Sequence, residues 1–121
     1  MTDLEVPTIA CVTGQSDTHL TKIQSHRLHS AITADFIALQ NAAKQAGFDL
    51  TIASSFRDFD RQALIWNNKF SGQRPVYNSQ QKVVDLTNLS DIDKCIAIMR
   101  YSALPGASRH HFGTDLDVYD K

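Results

Sequence analysis

Residues 48–70 read FDLTIASSFRDFDRQALIWNNKF, and the spacing of their apolar residues changes partway along. Over Phe48-Asp49-Leu50-Thr51-Ile52-Ala53, apolar and polar residues alternate. That two-residue rhythm predicts a strand with one buried face. Ser54-Ser55 ends it. Asp58 then stands where a helix needs a side-chain acceptor for its first free N–H groups. Ala63, Leu64 and Trp66 supply apolar contacts for a helix running to about Phe70. A strand passing directly into a helix is the nucleus around which the rest of the chain is read.

Working outward, Leu28, Ile32, Phe36, Leu39 and Ala43 recur at three- and four-residue steps. They predict one helix from about Thr18 to Gly47, with a break near Ser25–Ser30. Gly47 suits the left-handed conformation that ends a helix. On this reading His26 and His29 share a helix and face solvent, and His19 lies in a loop. Residues 1–18 wrap the surface. Gly72 to Asn78 is a loop, and residues 79–89 are irregular. Ser90 caps a helix over Asp91–Tyr101 that turns Ile92, Cys95, Ile96 and Met99 to one side. Leu104-Pro105-Gly106-Ala107 breaks it. Thr114–Tyr119 is the last strand, with Asp115, Asp117 and Tyr119 on one face and Leu116 and Val118 on the other. There is no regular βαβ rhythm. The expectation is a single α+β domain over residues 1–121, a small antiparallel sheet flanked by helices.

Composition narrows the function. The 121 residues are 42% apolar and 21% charged, with a net charge of -1. No basic surface fit for nucleic acid is indicated. No apolar run is long enough to span a membrane. The first residues, MTDLEVPTIACVTG, carry acids where a signal peptide has a basic region. That points to the cytoplasm, or to a chain whose leader has been removed. Cys11 and Cys95 read as buried free thiols rather than a disulfide.

The chemistry concentrates in Ser108-Arg109-His110-His111-Phe112-Gly113-Thr114-Asp115-Leu116-Asp117. A histidine in a loop and an aspartate on the strand that follows can converge on one zinc ion, and His110 and Asp117 are so placed. Gly113 lets the chain turn between them. Residue chemistry alone also allows a coincidental spacing. His111 must point away from His110, either behind it or to the surface. Asp115 reads as a rim residue or a partner for Arg57 or Arg109. Ser108-Arg109-His110 cannot form a serine triad, because sequence neighbours do not align as nucleophile and base.

This segment resembles the S-x-H-x-x-G-x-x-x-D motif of VanY-type D-alanyl-D-alanine carboxypeptidases, zinc peptidases of bacterial cell-wall peptides. Ser54-Ser55-Phe56-Arg57-Asp58-Phe59-Asp60-Arg61-Gln62 is similar to that family's S-G-Y-R-S-x-x-x-Q stretch. The resemblance covers roughly residues 30–120. It implies the family's fold, the Hedgehog/DD-peptidase type, and a metallo-carboxypeptidase, a hydrolase of peptidoglycan stem peptides. It makes His110 and Asp117 zinc ligands, Arg57 the residue that binds substrate and stabilises charge, and Gln62 and Ser108 substrate contacts. It also places the substrate outside the cytoplasmic membrane, so compartment stays open between the two indications.

One family feature does not match. The family completes its zinc site with Glu-x-x-His, downstream of the aspartate. Here Glu5 is the only glutamate, and Val118-Tyr119-Asp120-Lys121 follow Asp117. The resemblance therefore implies the N-terminal portion of a peptidase domain, incomplete on its own. A further segment or a second copy of the chain would complete it. The alternative is a non-catalytic module of the same fold that binds cell-wall peptides.

Overall fold

The stretch that begins the analysis folds as its rhythm predicts. In the computed structural model, which describes residues 7–121, a strand over Leu50–Ser54 passes into a helix over Phe59–Phe70. In chain order the elements are α1 (Ile9–Val12), β1 (Leu20–Ile23), β2 (His26–His29), α2 (Thr33–Gln45), β3 (Leu50–Ser54), α3 (Phe59–Phe70), α4 (Asp91–Met99) and β4 (Asp117–Asp120). Short 3-10 turns cover Ser30–Ile32 and Arg109–His111. Asp58 caps α3 by accepting from the Arg61 N–H at 2.7 Å. Ser90 caps α4 through the Asp93 N–H at 3.2 Å.

The class is α+β, as expected, with the strands in two antiparallel pairs rather than one sheet. β3 pairs with β4, placing Leu50 opposite Asp120 and Ile52 opposite Val118. The register then shifts, so that Ser54 faces Asp117. A bulge of this kind re-aims side chains at the end of a strand. Here it sets Ser54 beside Asp117 at the end where the chain turns toward Arg57.

The other pair corrects the sequence reading. Residues 18–47 are not one helix. Leu20–Ile23 and His26–His29 form a hairpin, Leu20 opposite His29 and Ile23 opposite His26, and the helix begins only at Thr33. The 28–32–36 spacing is real, but Leu28 reaches the core from a strand. What stabilises that strand lies far along the chain. The His29 N–H donates to Gly113 O at 2.9 Å, and the Phe56 N–H to Arg27 O at 3.1 Å. Local periodicity cannot register such bonds. His29, expected in solvent, is consequently buried.

Two small cores flank the β3–α3 junction. Leu28, Phe36 and Ile52 pack with Ile23, Ile32, Leu50 and Leu116 on one side. Trp66, Val76, Leu86 and Ile98 pack with Phe70 and Cys95 on the other. α4 meets the second core by a different face from the one expected. Ile98 is buried, whereas Ile92, Ile96 and Met99 are exposed. The helix carries two adjacent apolar stripes, and packing against α3 selects one. Cys11 is buried and Cys95 half-buried, both as free thiols. No helix among the described residues is long and apolar enough to cross a membrane.

Candidate metal and substrate site

Between the two cores the chain brings together three segments: the end of β3, the start of α3 and residues 103–117. The Arg109–His111 turn carries His110. Ser108 caps it, its Oγ accepting from the His110 N–H at 3.2 Å. Ser108 is buried, and the bond it makes here positions His110. Gly113 allows the chain to continue. Its φ is +83°, and a Cβ there would come 2.6 Å from Leu20 Cδ2 and 2.9 Å from the His29 nitrogen. Only glycine lets the loop approach the hairpin this closely.

His110 Nδ1 lies 2.8 Å from Ser55 O. A carbonyl can only accept, so Nδ1 carries the hydrogen and Nε2 keeps a free lone pair. That Nε2 lies 3.5 Å from Asp117 Oδ2. Two donors about 2.1 Å from a tetrahedral zinc ion lie roughly 3.4 Å apart, so the pair has the bite such an ion requires. The Ser55 carbonyl supplies the orienting outer contact typical of metal-bound imidazoles. The His110 side chain is 17% exposed and that of Asp117 66%, so the pair opens to solvent on the carboxylate side. The Ser54 hydroxyl donates to Asp117 Oδ2 and fixes it further. Among the described residues, no third His, Cys, Asp or Glu joins them.

Arg57 is tied to the same turn, its N–H donating to His110 O at 3.1 Å. Its Nη1 donates to Gln62 Oε1 at 3.0 Å, and Gln62 Nε2 donates to Ala103 O at 2.7 Å. Gln62 is only 1% exposed and engaged at both ends of its amide. It braces Arg57, and reaching a ligand directly would require breaking one of these bonds. Burial pulls the Arg57 pKa below its usual value. The Asp117 carboxylate counters this, while the Arg61 and Arg74 charges add to it.

The doubled histidine divides into two tasks. His111, expected behind His110 or at the surface, is completely buried. Its Nδ1 donates to Arg57 O at 2.6 Å, and its Nε2 accepts from the Gly106 N–H at 3.0 Å. Gly14 lies directly against the ring, where a Cβ would collide with it. His111 thus bolts the Arg57 backbone to the loop after α4. Sequence reasoning left this role open, and His-His adjacency was the only signal for it. Asp115 pairs with Arg109 at 3.2 Å, the rim role expected of it.

The model of the VanY D-alanyl-D-alanine carboxypeptidase family matches residues 25–121. The chain belongs to this family. An uncharacterized protein of Haemophilus influenzae is 47% identical to it over 98 residues, covering 77% of this chain and 67% of the relative. Three solved structures share the fold. The vancomycin-resistance D,D-pentapeptidase VanY in complex with Zn(II) has a TM-score of 0.62 at 20% identity over 84% of this chain. VanYB in complex with D-alanine-D-alanine has a TM-score of 0.66 at 20% identity over 88%. The LdcB LD-carboxypeptidase has a TM-score of 0.58 at 24% identity over 83%. This VanY-family chain spans 51% and 53% of the two VanY structures and 37% of LdcB.

Proposed function

We propose that the chain carries the metal- and substrate-binding portion of a zinc carboxypeptidase that acts on D-Ala-D-Ala-type peptidoglycan stem peptides. The observation that carries this reading is the His110–Asp117 pair, 3.5 Å apart, with Arg57 anchored on the same turn. Bound there, zinc would polarise a scissile carbonyl and acidify water. His110 would present Nε2 and Asp117 Oδ2, each already oriented by Ser55 and Ser54. Arg57 would hold a substrate carboxylate or carbonyl oxygen and stabilise charge that develops on it. The Gln62 brace on Nη1 leaves its remaining N–H donors for that purpose.

The third ligand and a glutamate base would come from outside these 121 residues, from a further segment or a second copy. Two donors hold zinc more weakly than the three of a complete catalytic site. Without a positioned proton acceptor, turnover falls by about 10²–10⁴-fold. The 121-residue chain alone is therefore expected to bind zinc weakly and to release D-Ala very slowly. The same donor count favours a second reading, a cell-wall peptide-binding module without catalysis. Stem peptides occur outside the cytoplasmic membrane and, as recycled fragments, inside it, and the proposal suits either place.

Zinc titration against a chromophoric chelator tests the proposal. His110→Ala and Asp117→Ala should each weaken zinc binding at least about tenfold, since each removes half of the donor set. Zinc affinity unchanged in both variants would end the metallopeptidase reading. Fast D-Ala release by the isolated wild-type chain would refute the outside base.

A further inference from the structure

α4 has two apolar faces and buries one. Ile98 is sealed in the second core, and Lys94 lies over the Phe70 ring there, 5.0 Å from its centroid. Further round the helix, Ile92, Ile96 and Met99 are each more than half exposed. Steps of four and then three residues align them along one line, the spacing of a coiled-coil seam. Single exposed apolar side chains are ordinary, but three in line on one helix make a patch of the kind that partners bury. Asp93 and Arg100 stand seven residues apart and flank this seam on the same edge. Arg100, the C-cap, keeps helical angles of φ -58° and ψ -38°. Both residues are exposed, and among the described residues neither makes an ion pair. The helix dipole accounts for an acid in the first turn and a base at the end. It does not account for their alignment along one edge of an apolar stripe.

We propose that this face of α4 binds a second copy of the chain, α4 against α4, antiparallel about a two-fold axis at the level of Ala97. Such a rotation reverses the helix direction and carries each edge onto the same edge of the partner. Asp93 of one copy therefore meets Arg100 of the other, and the pair occurs twice. Ile96 of each copy packs against Met99 of the other, on either side of the axis. A parallel pairing would set Asp93 beside Asp93 and Arg100 beside Arg100, and like charges so placed repel. The charge pattern thus selects both the partner and its direction. α4 has nine residues, or two and a half turns. A seam this short buries less than the roughly 1,200 Å² of a stable complex, so the pairing is weak, with a Kd on the order of 10 μM. In dilute solution the copies separate and Ile96 returns to water. The pairing depends on neither the metal nor the peptidase reading.

Sedimentation equilibrium of the full chain tests the pairing. The mass should rise from monomer toward dimer between about 1 and 200 μM. Ile96→Lys places two like charges at the centre of the seam and should hold the chain monomeric over that range, with its folding checked by circular dichroism. Asp93→Arg and Arg100→Asp should each weaken the dimer about tenfold, because symmetry makes one reversal turn both ion pairs repulsive. The double variant restores opposite charges and should return to within about threefold of wild type. A wild-type chain still monomeric at the top of that range overturns the proposal and leaves the face to a different partner. A dimer that survives Ile96→Lys puts the interface elsewhere and overturns it as well. Charge reversals without effect, or a double variant as weak as the single ones, overturn the antiparallel pairing.

Discussion

His110 and His111 are neighbours with the same ring and opposite fates. The first uses one nitrogen on Ser55 O and turns the other to Asp117, facing solvent. The second is sealed, with both nitrogens spent on backbone groups of Arg57 and Gly106. Replacing them should therefore have different consequences. His111→Ala strands a buried carbonyl and a buried N–H and opens a void. It should cost about 2–4 kcal/mol in urea unfolding, whereas His111→Gln, which keeps a donor and an acceptor, should cost visibly less. Loss of no more than about 0.5 kcal/mol in His111→Ala would mean that the ring is not the bolt its geometry describes. The motif singled out His110 and Asp117 in the sequence as candidate ligands, because ligand chemistry restricts residue type, and the fold brings the two side chains together. A structural imidazole like His111 carries no such mark, since any side chain that satisfies the same two backbone groups would serve.

At the scale of elements, capping and the alternation of β3 were readable, but the last strand begins at Asp117 rather than Thr114 and Val118, expected on its core face, is exposed. Asp58 and Ser90 cap α3 and α4 where the sequence places caps, because a cap depends on residues within one turn. β1 and β2 escaped detection. Their edges are satisfied by Gly113 O and the Phe56 N–H, which lie dozens of residues away. α4 shows the same limit in energetic form. Ile98 is 1% exposed and Ile96 62%, although both read as apolar helix positions. Ile98→Ala should lower stability by about 2–4 kcal/mol by leaving a cavity beside Trp66. Ile96→Ala should change it by no more than about 0.5 kcal/mol. Thermal melts of the two variants make the comparison, and equal losses would contradict the packing of α4.

At the largest scale, two small cores among the described residues flank the site, and the response to acid should show how the hairpin is held. His29 ends the hairpin against the Gly113 loop, with the Phe112 ring 4.7 Å and the His19 ring 5.5 Å away. Burial, reinforced by His19, holds the His29 pKa below its usual value. The unfolded chain binds a proton there near the ordinary pKa of about 6.5, and the folded chain resists it. Below that pH the unfolded state holds more protons, so this contribution to stability is complete above about 6.5 and is lost as pH falls through the lower folded value. The urea midpoint should drop between pH 7.5 and pH 5, and by a smaller amount in His29→Asn, whose amide oxygen can still accept from the Ala31 N–H. Identical slopes for the two proteins would rule His29 out as the cause. By itself the sequence determined the α+β class, the caps of both principal helices, and which residues were candidates to take a metal and a substrate oxygen, because these depend on neighbours along the chain or on side-chain chemistry. Only the tertiary structure decided that residues 20–29 are a hairpin, that α4 turns Ile98 inward, and that His111 anchors Arg57. Each of those depends on which distant backbone or side chain arrives to satisfy a group or bury a face, and no local rhythm encodes that.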